Sequence, residues 1–162
     1  MSEIDRMIAA SEQWAADGHP GELPGPPSRQ VTVVACMDAR IPVEQVLGLA
    51  PGEAHVLRNA GGVVTDDTLR SLAVSQHMLG TRTVLLMHHT GCGMQQATEE
   101  GFAAAVQEAT GQQPPWPAQT FTDCDEDVRQ SVARVREAPY LVSTEVRGAV
   151  YDIATGLVHE VS

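Results

Sequence analysis

The sequence predicts an α/β fold built on a mostly parallel central sheet with an antiparallel edge strand, flanked by helices. Three observations carry that expectation. Short β-branched or apolar runs at 31–36 (VTVVAC), 54–59 (AHVLRN) and 83–89 (TVLLMHH) have the composition of strands buried on both faces of a parallel sheet. A segment with helical spacing lies between the second and third runs, giving strand, helix, strand. The tail contains an alternating run, then Thr155-Gly156, then another short run, which is a hairpin signal and supplies the antiparallel edge.

From the N-terminus, residues 2–16 place Ile4, Met7, Ile8 and Trp14 at near-helical spacing, with Ser2 as N-cap and Gly18 as stop. This predicts a helical arm over 1–17 that docks on the rest of the fold or on a neighbouring subunit. Residues 18–29 hold three Gly and four Pro, so they form a linker rather than helix or central strand. The remainder, 30–162, is read as one α/β domain. Within it, Leu69, Leu72, Ala73, Gln76 and Leu79 mark a helix that Gly80 ends. Val128, Val132 and Val135 mark another over 125–138, with acids first and arginines last, stopped by Pro139. A second Pro-rich linker occupies 111–117.

The formal charge is −11, with only ten Lys and Arg, which argues against a nucleic-acid surface. No stretch approaches the roughly 18 apolar residues of a membrane span, and MSEIDRMIAA lacks the pattern of a signal peptide, so the expected address is cytoplasmic. Three cysteines, Cys36, Cys92 and Cys124, suit reduced thiols used for metal or catalysis better than a disulfide framework.

The chemistry concentrates at two strand ends. CMDAR at 36–40 follows the first strand and HHTGCGM at 88–94 ends the third, the positions where open α/β sheets gather ligands. Together they can bring Cys36, His89 and Cys92 into one cluster whose two thiolates and one imidazole suit zinc. Three protein ligands leave one position over, the arrangement of a catalytic site. Asp38 and Arg40, two residues apart, form a charge-assisted pair that keeps the carboxylate ionised beside the water on the metal. His55, His77, His88 and His159 are expected to make ordinary surface or capping hydrogen bonds, and Cys124 to be a thiol without a role. The acidic runs at 65–67 and 123–127 are expected to be solvated helix starts.

Cys-x-Asp-x-Arg followed by His-x-x-Cys resembles the signature of the β-carbonic anhydrases, as do RNAGGVV at 58–64, Tyr151-Asp152 and Thr155-Gly156. The likeness spans about residues 30–160 and is nearest to the short prokaryotic members. It implies zinc on Cys36, His89 and Cys92, an orienting dyad of Asp38 and Arg40, and reversible hydration of carbon dioxide to bicarbonate and a proton. It further implies a sheet of order 2-1-3-4 with a fifth antiparallel strand, and a homodimer or dimer of dimers whose N-terminal helix embraces the partner. Some members swing the Asp onto zinc at lower pH, and this sequence has both residues of the dyad. Gly61, Gly62, Val63, Gly93 and Met94 are candidates for a close-packed apolar pocket beside the metal. Hydrolysis of carbonyl sulfide or carbon disulfide by the same metal set, and a non-catalytic zinc or thiol module, are the competing readings.

Overall fold

The computed structural model describes residues 1–162. The strands are β1 (Val31–Cys36), β2 (Ala54–Asn59), β3 (Thr83–His89), β4 (Glu145–Tyr151) and β5 (Val158–Val161). They form one sheet of order β2-β1-β3-β4-β5. All pairings are parallel except β4 with β5. The architecture and the strand order are those expected from the sequence.

Helix α1 (Glu3–Asp17) starts in a capping box, Ser2 and Asp5 satisfying each other's main-chain N–H, and stops at Gly18. None of its residues is buried: Ile4, Met7, Ile8 and Trp14 are 68%, 68%, 65% and 55% exposed. The arm therefore docks on no part of its own fold, and its apolar stripe is left open. Short α2 (Val43–Val46) follows β1, and a 3₁₀ turn, Ala60–Gly62, follows β2. Helix α3 (Asp66–Leu79) begins on the Thr65 side chain and ends at Gly80 in the left-handed conformation. Short α4 (Gly93–Gln96) and α5 (Glu99–Thr110) come next, and then α6 (Cys124–Glu137), capped by Asp123.

Nothing in the apolar spacing predicts α5 at 99–110. That helix is Ala-rich and has no fully buried residue, and its partly covered face is small, with Phe102, Ala103 and Val106 half-buried and Phe102 stacked on Trp116; its signals are the Thr98 cap and Gly111 stop. No helix is long and apolar enough to cross a membrane.

Alternation along the strands sends residues to two apolar layers. One layer joins Val34, Leu72, Val84, Leu86 and Val150 with Val128, Val132 and Val135 of α6. The other joins Val33, Ala35, Cys36, Met87 and Tyr151 with Ile41, Val43, Cys92 and Phe121. Helix α6 approaches β4 closely because Gly148 has no side chain: a Cβ there would lie 2.2 Å from Val128 Cγ1 and 3.1 Å from Val132 Cγ2. Gly148→Ala should accordingly cost about 1–3 kcal/mol by overpacking. Urea unfolding checks this, and an unchanged midpoint would mean that α6 is not held at that distance.

Candidate metal centre

Cys36 is the last residue of β1, His89 the last of β3, and Cys92 the N-cap position of α4 in the turn that follows. Because β1 and β3 run parallel in adjacent positions, their carboxyl ends arrive together. The three side chains offer ligand atoms that all lie within 4.8 Å of one another. All three residues are buried, at 4%, 0% and 2% exposure. The sulfurs of Cys36 and Cys92 are 3.9 Å apart. Two sulfurs each about 2.3 Å from a tetrahedral zinc would be separated by about 3.8 Å.

The imidazole completes the fit. A carbonyl oxygen only accepts, so His89 Nδ1 carries the proton it donates to the Thr90 carbonyl at 3.0 Å. That leaves a bare lone pair on Nε2, which is buried and has no hydrogen-bond partner. An orphaned acceptor beside two thiols is costly unless a cation takes the lone pair. The residues present thus fit a borderline-soft metal such as zinc.

The thiols titrate as a pair. Cys36 is held well below the ordinary thiol range, chiefly because Cys92 donates to its sulfur, against the opposing effect of burial. Cys92 is pushed far up, because losing its proton gives up that hydrogen bond and places a second anion in the same buried space. A divalent cation between them removes the penalty.

Asp38 and Arg40 stand at the rim. Arg40 Nε and its main-chain N–H each donate to Asp38 Oδ1 at 2.9 Å, and Nη2 donates to Oδ2 at 2.6 Å. The guanidinium hydrogen bonds, then the main-chain one, hold the carboxyl well below the usual carboxylate range. Arg40 Nη2 also reaches the Gly91 carbonyl at 3.2 Å, tying the first motif to the turn between His89 and Cys92. Asp38 Oδ2 lies 3.7 Å from His89 Nε2. The carboxylate is therefore turned toward Arg40 while standing beside the ligand cluster.

The pocket candidates divide. Gly62, with φ 74°, lets the turn after β2 lie against β1, since a Cβ there would be 2.8 Å from the Cys36 main-chain nitrogen. At Gly61 a Cβ would meet Val63, Met94 and Phe121 at 3.1–3.4 Å, so these four pack together. Gly93 is exposed with open space around it, outside that close packing. Val63 and Met94 also line a groove of about 940 Å³ with Met37, Val56, Phe102 and Trp116.

Two histidines depart from the expectation of surface or capping bonds. His88 is fully buried, donates from Nε2 to Asp127 Oδ2 at 2.6 Å, and packs on Phe121 with ring centroids 5.4 Å apart. Strand alternation explains it: consecutive residues of β3 face opposite sides, so His89 enters the cluster and His88 must point to α6. Asp127 is consequently a partner of the buried layer rather than a purely solvated helix-start acid. His55 is half-buried, with Nδ1 2.7 Å from Ser75 Oγ in a hydroxyl group that includes Thr32 and Thr81. His77 is exposed and makes a surface bond as expected, to the Tyr140 carbonyl, and His159 is exposed. Cys124 is half-buried, its sulfur 3.8 Å from the His89 carbonyl. Burial, reinforced by Asp125, Asp127 and Asp123, pushes its thiol up to about 11, so it is a poor nucleophile.

Residues 31–158 match the carbonic anhydrase family model. The β-carbonic anhydrase 1 of Mycobacterium tuberculosis is 48% identical, covering 100% of this chain and 99% of its own. A carbon disulfide hydrolase of Acidithiobacillus thiooxidans is 30% identical, covering 95% of this chain and 86% of its own. The crystal structure of the carbonic anhydrase from Streptococcus mutans superimposes with a TM-score of 0.94 at 38% identity, covering 100% of this chain and 99% of that one. Two strand-end motifs, a buried Cys-His-Cys cluster and full-length likeness in sequence and fold lead to one statement: the chain belongs to the β-carbonic anhydrase family.

Proposed function

We propose that this chain catalyses the zinc-dependent, reversible hydration of carbon dioxide to bicarbonate and a proton. The observation that carries the reading is the buried cluster of Cys36, His89 and Cys92, with the His89 Nε2 lone pair unpartnered among the thiols. Bound there, zinc lowers the pKa of water from about 15.7 to about 7 and so supplies hydroxide near neutrality. Cys36, His89 and Cys92 would hold the ion.

Asp38 directs that chemistry. Held ionised by Arg40, it can only accept, so a nucleophilic oxygen beside it must turn its hydrogen toward the carboxylate and its free lone pair elsewhere. Arg40 in turn fixes the carboxylate through two guanidinium contacts and anchors to the Gly91 carbonyl. The packing of Gly61, Val63, Met94 and Phe121 supports an apolar wall for a small uncharged substrate, with Gly62 allowing the wall to approach Cys36 and Gly93 standing at the open rim.

The unburied apolar stripe of α1 supports a homodimer, or a dimer of dimers, in which the 1–17 arm covers a partner. Two ligand thiols that must stay reduced suit the cytoplasm. Carbon disulfide is the alternative substrate, favoured by the likeness to the Acidithiobacillus thiooxidans hydrolase.

Stopped-flow hydration on protein of known zinc content tests the reading. Zinc at about one per chain with rapid hydration is expected, and Cys92→Ala should lose both, since a ligand is removed. Zinc-loaded protein inactive on carbon dioxide and active on carbon disulfide would transfer the assignment to the alternative. Asp38→Asn should keep its zinc and lose about 10–100-fold in kcat, because the amide can donate and misdirect the nucleophile. Full activity in that variant would remove Asp38 from the mechanism.

A further inference from the structure

Arg58, at the end of β2 in the RNAGG segment, takes part in no ion pair; its hydrogen bonds go to main chain. Nε and Nη2 donate to the Cys36 carbonyl at 3.0 and 2.8 Å, and Nη2 also donates to the Asp38 carbonyl at 2.6 Å. These carbonyls follow a metal-ligand candidate and the orienting acid, one and three residues beyond the last β1–β3 rung at Ala35↔Met87. Cys36 is still paired with Asn59 of β2, but beyond it the main chain has no ladder to hold it. Here a guanidinium, planar and rigid, grips two carbonyls two residues apart and so sets the peptide planes after Cys36 and after Asp38.

The consequence falls on two distances at once. The Cys36 sulfur stands 3.9 Å from that of Cys92, and Asp38 Oδ2 stands 3.7 Å from His89 Nε2. Both depend on how the chain turns between Cys36 and Arg40. Arg40 cannot set this turn alone, because it belongs to the turn. Other anchors from β2 are the Met37 N–H bond to the Asn59 carbonyl and the close approach of Gly62 to Cys36. Neither grips the Asp38 peptide.

We propose that Arg58 is a positioning residue for the reaction, fixing the Cys36–Asp38 turn from the neighbouring strand so that thiolate and carboxylate meet the metal site in one geometry. In its kinetic part this rests on the hydratase reading above; in its spectroscopic part it does not.

Arg58→Gln and Arg58→Lys, compared with wild type, test it by hydration kinetics on the zinc forms, absorption spectra of the cobalt(II)-substituted forms, and thermal unfolding. Arg58→Gln should lose about 10–100-fold in kcat, with KM changing much less, because an outer partner that orients ligands acts mainly on the chemical step. Its cobalt–thiolate charge-transfer and d–d bands should move from those of wild type. Arg58→Lys should fall between, since a point-like ammonium cannot span both carbonyls as the planar fork does. Wild-type kcat and cobalt bands in Arg58→Gln would overturn the proposal. So would lowered thermal stability with unmoved cobalt bands, which would make the role purely structural, or complete rescue by Lys, which would make charge alone sufficient. Should wild type itself fail to hydrate carbon dioxide, the functional reading falls, and the cobalt spectra alone decide Arg58.

Discussion

The parallel pairing of β1 with β3 is the constraint on which the centre depends. Its register, Val31↔Thr83 through Ala35↔Met87, delivers Cys36 and His89 to the same end of the sheet. A slip of one residue would turn His88 inward and His89 toward α6, since side chains alternate between faces. The buried layers resist such a slip. Val84 and Leu86 on one side and Met87 on the other are all fully buried, and each would be exchanged to the wrong layer.

Around that register the chain uses charged side chains to hold main chain where the ladder ends. Arg40 bridges its own turn to Gly91, and Arg58 grips the carbonyls of Cys36 and Asp38. His88 and Asp127 fasten the end of β3 to α6 from the opposite face. In a chain of net charge −11, two of the ten basic residues are committed to one short loop. Hydrogen bonds to charged groups are worth more than neutral ones, and more again where water is scarce. The thiols are the counterpart. Both are buried, and the second is hard to ionise until a cation arrives, so an empty site and a filled one differ sharply in electrostatic cost.

Much of this was legible in the sequence because local pattern and burial agree there. β1, β2, β3, α3 and α6 announce themselves by periodicity and caps, and the metal candidates by their position at strand ends. The strand order came from family likeness, since nothing local in VTVVAC or TVLLMHH says which strands are neighbours. The rest is long-range or only weakly patterned. Helix α5 covers its apolar residues only in part, Phe102 stacking on Trp116 of the Pro-rich segment, so no strongly apolar run marks it. His88 reads as a surface residue until β3 is fixed in register and its partner is found 39 residues on at Asp127. Arg58 reads as part of a motif, and its contacts with carbonyls 20 and 22 residues earlier follow only from the pairing of β1 with β2.

On the proposed reading, sheet register prearranges Cys36, His89 and Cys92 as a zinc site with one position open. Zinc K-edge X-ray absorption on the purified protein at neutral pH tests it most directly. Two sulfur scatterers at about 2.3 Å and one imidazole nitrogen at about 2.0–2.1 Å, together with one light non-protein ligand, are expected. A shell of oxygen and nitrogen without sulfur, or two sulfurs with two imidazoles, would contradict it.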